Sequence, residues 1–84
     1  MSSNEENEKM LRLAASIVAV LNPNVLFNSN VNFLCWNGKL TFNFKGLEML
    51  DLKFIISTCE LAECRMRILQ SDDPLYSFAI LFEI

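Results

Sequence analysis

The chain has 84 residues, of which 52% are apolar, and its formal net charge is −3. This length gives one small domain, and domains of this size bury only about 60% of the surface that the unfolded chain exposes. The acidic balance argues against a general nucleic-acid-binding protein, because phosphate contacts need clustered Lys and Arg. No apolar run approaches the ~20 residues that a membrane-spanning helix needs, so we expect no membrane insertion.

The first predicted element is a helix, and it is unusually apolar. Residues 9–21 read KMLRLAASIVAVL, in which two neighbouring seams of 3-4 spacing merge into an apolar arc about 180° wide. A helix packed on one core needs a stripe of little more than about 100°. The second seam therefore predicts a second partner, which we expect to be another copy of the chain. The predicted homodimer interface consists of Met10, Leu13, Ile17 and Val20.

An alternative is a helix buried on two sides within one domain, although a chain this short has little material to cover it. The helix is expected to end at Asn22-Pro23, because a residue before proline is pushed out of the helical region. The polar start, MSSNEEN, is more typical of a cut through a longer coiled coil than of a natural beginning. We therefore describe residues 1–84 as a single domain, with residues 4–21 as the end of a dimerising coiled-coil helix.

A β-hairpin is the clearest local prediction. Apolar and other residues alternate over 31–36 and again over 39–44. Asn37-Gly38 between them is the preferred two-residue type I′ turn. Before the hairpin, residues 25–27 are expected to form a short strand or an extended lead-in.

The segment after the hairpin is harder to interpret. Over residues 50–56 every second position is apolar, which predicts a third strand. These positions are Leu50, Leu52, Phe54 and Ile56. Ser57 and Glu60 then have capping-box spacing, and residues 57–70 are amphipathic, which predicts a helix. The competing interpretation makes residues 64–69 a strand, because Cys64, Met66 and Ile68 alternate with other residues.

The C-terminal segment is predicted to be a turn followed by a strand. Ser71 to Pro74 has the composition of a turn. Residues 75–84 then alternate with two largely apolar faces, which is typical of a strand inside a sheet or under a helix. Together the elements predict an α+β fold with an N-terminal helix, an antiparallel meander sheet, one crossing helix and a C-terminal strand.

Catalytic and metal-binding chemistry is poorly represented. The chain has no histidine, which removes the commonest general base and the commonest metal ligand. Cys35, Cys59 and Cys64 contain no CxxC pair and are interpreted as buried, reduced thiols of an intracellular protein. We therefore expect no enzyme activity, no cofactor and no metal site.

Two surfaces are candidates for partner binding. Leu34 and Trp36 fall on the hairpin face opposite Phe33 and Cys35, and an exposed Trp beside an apolar neighbour is a typical binding anchor. Alternatively, a partner subunit or the terminal strand covers this face. A second candidate is a small basic spot for an acidic or phosphorylated peptide, unless these are solvated helix charges. Its residues are Lys53, Arg65 and Arg67.

The predicted element order and the closing segment PLYSFAILF, residues 74–82, carry a family resemblance. The chain resembles the C-terminal RWD-like domain of the Mad-one spindle assembly checkpoint scaffolds. In that family a coiled-coil helix leads into a small sheet, one helix crosses the sheet, and a final apolar strand closes the domain. Other kinetochore proteins, including monopolin and outer-kinetochore subunits, also append RWD-like domains to coiled coils. The family's basic Arg-Leu-Lys motif has no match here, so no phosphopeptide site is carried over.

The resemblance implies a function and a location. It implies a non-catalytic protein-interaction and dimerisation domain that helps to recruit the checkpoint complex to kinetochores during mitosis. The partners would be kinetochore or checkpoint proteins, and the location would be nuclear. The alternative function, from a different class, is a stand-alone small acidic inhibitor or adaptor of the viral or phage type.

Overall fold

The computed structural model of the protein describes residues 2–21 and 30–84. The predicted short strand at residues 25–27 lies outside these ranges. In chain order the described elements are helix α1 (Ser2–Val20), strand β1 (Val31–Trp36), strand β2 (Lys39–Phe44), helix α2 (Met49–Leu61), strand β3 (Arg65–Leu69) and strand β4 (Phe78–Glu83).

The strands of the described residues form one antiparallel sheet in the order β1-β2-β4-β3. The C-terminal strand β4 lies inside the sheet, between β2 and β3, as its two apolar faces predicted. This sheet and two helices make a small α+β fold, which confirms the predicted fold class.

The β1–β2 hairpin has the predicted turn. Asn37 and Gly38 have φ angles of 55° and 77°, and positive φ at both central positions is the requirement of a type I′ turn. Trp36 pairs with Lys39 directly beside the turn, so the two strands are joined without a bulge. The turn thereby sets the register, and this register decides which side chains share each face of the sheet.

The core lies between one face of the sheet and the two helices. Side chains of β2 and β4 alternate between the two faces, and those on the core face belong to the same cluster as the buried apolar residues of both helices. The largest fully buried side chains of this cluster are Met10, Ile17, Leu40, Phe42, Phe44, Ile55, Ile80 and Phe82.

Helix α1 is covered on two sides within its own subunit. It packs against the β1–β2 part of the sheet and also against α2. Three residues of the predicted dimer seam, Met10, Leu13 and Ile17, are 0%, 3% and 0% exposed. In the second seam, Ala14 and Leu21 are buried, Val18 is half-buried and Leu11 is 53% exposed. The broad apolar arc is therefore explained by the alternative of a helix buried on two sides, and the predicted dimer seam is wrong for all its residues except Val20.

The predicted third strand is wrong, because residues 49–61 form helix α2. Asp51, Ile55 and Cys59 are buried, and their spacing of four residues places them on one side of a helix. The alternation over residues 50–56 misled the prediction because this helix carries apolar side chains on two sides. As a result, every second residue is apolar even though the backbone is helical.

The predicted second helix at residues 57–70 is also wrong in its position. Ser57 and Glu60 lie in the last turns of α2, and Thr58 Oγ1 donates a hydrogen bond of 2.8 Å to the Phe54 carbonyl oxygen, one turn earlier. Glu63 then adopts a φ of 57°, which ends the helical path. The competing interpretation, a strand at residues 64–69, is confirmed by β3. Every residue of β3 pairs with a residue of β4.

Candidate protein-interaction surface

The sheet has a second face, on which no helix of the described residues lies. We call it the open face. Its residues follow from the register of the four strands, because side chains alternate between the two faces of each strand. The open face consists of Asn32, Leu34, Trp36, Lys39, Thr41, Asn43, Arg65, Arg67, Leu69, Ala79, Leu81 and Glu83.

The middle of the open face is a groove of about 320 Å³, lined by apolar side chains and also by Thr41, Asn43, Gln70 and Asp72. Leu34 and Leu69 form its sides and are 66% and 39% exposed. Leu81 and Ala79 of the central strand β4 form its floor, and Ala79 is only 3% exposed. The small side chain at position 79 lowers the floor between the two leucines, which gives the groove its concave shape.

One end of the open face carries a cluster of charges beside an indole ring. The Glu83 carboxylate lies 4.0 Å from Lys39 Nζ and 3.7 Å from Arg67 Nη2, so it forms an ion pair with each of these two cations. Arg65 pairs with Glu83 in the strand register, but it forms no ion pair with any described residue. Trp36, in the same row of the sheet, is 75% exposed.

The other end of the open face is held by uncharged polar side chains. Ser71 Oγ donates a hydrogen bond of 2.7 Å to Asn43 Oδ1, and Asn43 Nδ2 donates one of 2.9 Å to Asn32 Oδ1. This chain of hydrogen bonds ties the loop after β3 to the hairpin. It fixes the side chains at that end and leaves the groove open between the polar end and the charged end.

The structure brings together four of the five predicted partner-binding residues. Leu34 and Trp36 reach the open face from β1, and Arg65 and Arg67 reach it from β3, at the opposite edge of the sheet. Lys53 is exposed on α2, on the other side of the molecule, so the predicted basic spot of Lys53, Arg65 and Arg67 is divided.

Sequence reasoning missed the floor and the carboxylate of this surface. Leu81 and Glu83 were assigned to a strand, but their neighbours were not known, because the segment that supplies β3 was interpreted as a helix. The signal that could have placed them is the alternation of Arg65, Arg67 and Leu69 with the apolar residues between them. On a strand, this alternation puts the two arginines on one face.

The cysteines do not form a reactive site. All three are free thiols, and Cys59 is buried while Cys35 and Cys64 are half-buried. Burial raises the pKa of each thiol, and for Cys59 the neighbouring Cys64 and Glu60 raise the pKa further. A thiol with a raised pKa stays protonated at neutral pH, and the protonated form is a poor nucleophile.

Asp73 stabilises the turn between β3 and β4. Asp73 Oδ1 accepts a hydrogen bond of 2.9 Å from the Leu75 N–H, and the Asp73 carbonyl oxygen accepts one from the Tyr76 N–H. These bonds place a turn at residues 73–76, which overlaps the turn predicted at Ser71 to Pro74. Within residues 2–21 and 30–84 no group of three or more metal-ligating side chains is found.

Neither α1 nor α2 has the length and hydropathy that a membrane-spanning helix requires. No protein-family model matches the chain, and comparisons with curated proteins and with solved structures yield no match.

Proposed function

We propose that this chain is a non-catalytic protein-interaction module that binds a partner protein through the open face of its sheet. The observation that carries the proposal is the exposure of Trp36 and Leu34, at 75% and 66%, on the open face, where Leu34 lines the groove. Trp and Arg are the residue types that most often dominate binding energy at protein interfaces. Here Trp36, Arg65 and Arg67 occupy one end of the same face.

The charge of the open face supports a specific partner. The strands of the open face carry Lys39, Arg65 and Arg67 against the carboxylate of Glu83, and Asp72 lines the groove at the other end, whereas the whole chain has a net charge of −3. A local reversal of the overall charge favours partners with acidic groups, because complementary potentials steer association and disfavour wrong orientations. Leu34, Leu69 and Leu81 in the groove next to these cations would contact apolar side chains of the same partner.

The narrower proposal is that the module belongs to a spindle assembly checkpoint scaffold, acts as a homodimer and helps to recruit the checkpoint complex to kinetochores in the nucleus. It is supported by an N-terminal helix that precedes a small antiparallel sheet, and by a closing segment that ends in an apolar strand. The alternative, a small acidic inhibitor or adaptor, would use the same open face on a different target. No cofactor is required by either proposal.

Affinity capture from mitotic extract tests both the surface and the partner class. The native chain, Trp36→Ala and Arg67→Ala are compared by quantitative mass spectrometry. Leu11→Ala serves as a matched control, because Leu11 is 53% exposed and lies on α1, away from the open face. We expect a set of proteins that is captured by the native chain and the control and is reduced by both open-face substitutions.

The identity of that set separates the two functions. Capture of kinetochore and checkpoint proteins would support the scaffold function. Capture of the subunits of a single different protein complex would support the inhibitor or adaptor function. Identical sets for the native chain and both open-face variants would contradict the proposed binding surface.

A further inference from the structure

Helix α2 packs one side against the subunit core and carries large apolar side chains on a second side that is not covered. The buried side consists of Asp51, Ile55 and Cys59. The other side carries Leu50, Phe54 and Leu61, which are 60%, 45% and 88% exposed. Monomeric proteins seldom expose several large apolar side chains in one continuous row without an interaction that uses them.

The spacing of the exposed side is that of a helix-packing seam. Leu50, Phe54, Ser57 and Leu61 follow one another at intervals of four, three and four residues. This spacing places them in one row along the helix, as the a and d positions of a coiled coil are placed. We call these four residues the outer seam of α2.

We propose that the outer seam of α2 packs antiparallel against the outer seam of a second copy of the chain, which forms a two-fold symmetric dimer. The inference deepens the homodimer that is part of the proposed function and rests on it. It replaces the seam on α1, whose residues are buried in the subunit core. The outer seam fits a second copy of itself in both size and charge.

The seam is complementary to itself in size. If the two-fold axis passes between Ile55 and Ile56, Leu50 lies opposite the partner subunit's Leu61. In the same register the large ring of Phe54 lies opposite the partner subunit's Ser57, whose small side chain leaves room for it. Facing large and small side chains is what allows two helices to interdigitate.

The seam is also complementary to itself in charge. Lys53 and Glu60 are exposed and flank the seam on the same side, each directly before one of its residues. In an antiparallel pair, such flanking positions face each other. Lys53 therefore lies within reach of the partner subunit's Glu60, and the two-fold axis generates this pair twice. In a parallel pair Lys53 would not face Glu60, so the charges specify the antiparallel orientation.

The size of the seam indicates a weak dimer. α2 has 13 residues and is about 20 Å long, so a pair of these helices falls at the small end of specific interfaces. We therefore expect the monomer and the dimer to exchange over the concentration range from about 1 µM to about 1 mM. The open face is on the opposite side of the molecule and stays accessible in this dimer.

Sedimentation equilibrium over that concentration range tests the proposal. The native chain should dimerise, and Phe54→Glu and Leu61→Glu should stay monomeric throughout. Leu61 is so exposed that its substitution should leave the fold intact, and circular dichroism checks this. The Leu61 variant therefore tests the proposal even if the Phe54 variant is unstable. A native chain that is monomeric at every concentration would overturn the proposal.

The orientation is tested by exchanging charges. Lys53→Glu alone and Glu60→Lys alone should each weaken the dimer about tenfold, because each creates two repulsive pairs. The double variant Lys53→Glu with Glu60→Lys should restore the native affinity. Lys45→Glu is the matched control, since it makes the same charge change at an exposed position outside α2.

The outcomes also separate this inference from the proposed partner-binding surface. Additive weakening in the double variant, without restoration, would overturn the antiparallel register. A dimer that persists in Leu61→Glu but is lost in Trp36→Glu would show that the open face is the dimer interface, which would overturn the inference. The last outcome is a native dimer that is lost in Leu61→Glu together with unchanged capture of partners by Trp36→Ala. It would support the α2 dimer and contradict the proposal that the open face binds the partner.

Discussion

The side-chain oxygen Oδ1 of Asn7 accepts a hydrogen bond of 2.6 Å from the backbone N–H of Gly38. This bond joins helix α1 to the turn of the β1–β2 hairpin, 31 residues further along the chain. The Cys35 thiol also donates to the carbonyl oxygen of Asn7, at 3.8 Å. Because Asn7 is close to the start of α1, these contacts fix the position of the first turns of the helix over the sheet.

Substitution of Asn7 by Ala should lower the free energy of unfolding by about 1–2 kcal/mol, because the buried N–H of Gly38 would lose its acceptor. Urea denaturation measures the change. Glu8→Ala is the matched control, since Glu8 is an exposed neighbour that pairs with Arg12 on the surface, and such a pair is worth under about 1 kcal/mol. Equal losses for the two variants would contradict a specific role for Asn7.

The two glycines of the chain should respond differently to replacement by Ala. Gly38 has a φ of 77°, and a Cβ at this position would lie 3.1 Å from the Cβ of Glu6. Gly38→Ala should therefore cost about 1–2 kcal/mol of stability. Gly46→Ala meets no atom within 4 Å and should be neutral or stabilise the fold by up to about 1 kcal/mol. Thermal unfolding of both variants tests the contrast, and similar melting temperatures would contradict it.

Ile17 and Val20 distinguish the subunit core from a dimer interface. Ile17 is 0% exposed and Val20 is 37% exposed. Ile17→Glu should prevent folding at every protein concentration, because the carboxylate would be buried without a partner. Val20→Glu should fold, since its side chain reaches solvent. Circular dichroism of the two proteins at several concentrations is the measurement, and a folded Ile17→Glu protein would show that α1 does not contribute this residue to the core.

The width of the apolar arc on α1 could be predicted from the sequence, but the identity of its second partner could not. The arc correctly indicated that α1 is covered on two sides. The second cover is α2, which the sequence pattern presented as a strand, because its buried side and its outer seam together make every second residue apolar. A helix that is apolar on two sides contains both periodicities, and only the tertiary structure decides between them.

The open face could be predicted only in part, for the same reason. The hairpin turn fixed the face of Leu34 and Trp36 through purely local geometry. The contribution of β3 depends on pairing with β4, which is 13 residues away or more for most pairs. Local signals at Ser57 and Glu60 favoured a helix start, whereas the pairing of Met66 with Phe82 buries apolar surface that a helix at this position would not provide.

The thiol of Cys59 should make the protein less stable in alkaline solution. Burial, followed by the neighbouring Cys64 and Glu60, raises the pKa of this thiol in the folded protein above its ordinary value. When the pH rises through the ordinary value of about 8.5, the unfolded chain loses the proton while the folded chain keeps it. The folded state then binds more protons, so the free energy of unfolding falls as the pH rises, and the full contribution is present only below that value.

The measurement is urea denaturation between about pH 7.5 and pH 10, in which Cys59→Ala should show a smaller loss of stability with rising pH than the native chain. The absolute stability of this variant will also fall, because a buried side chain is shortened. Ile55→Val therefore serves as the control, since it shortens a neighbouring buried side chain of α2 that does not titrate. The control should be less stable than the native chain but should keep the native pH dependence. A Cys59→Ala protein with the same pH dependence as the control would contradict the role assigned to this thiol.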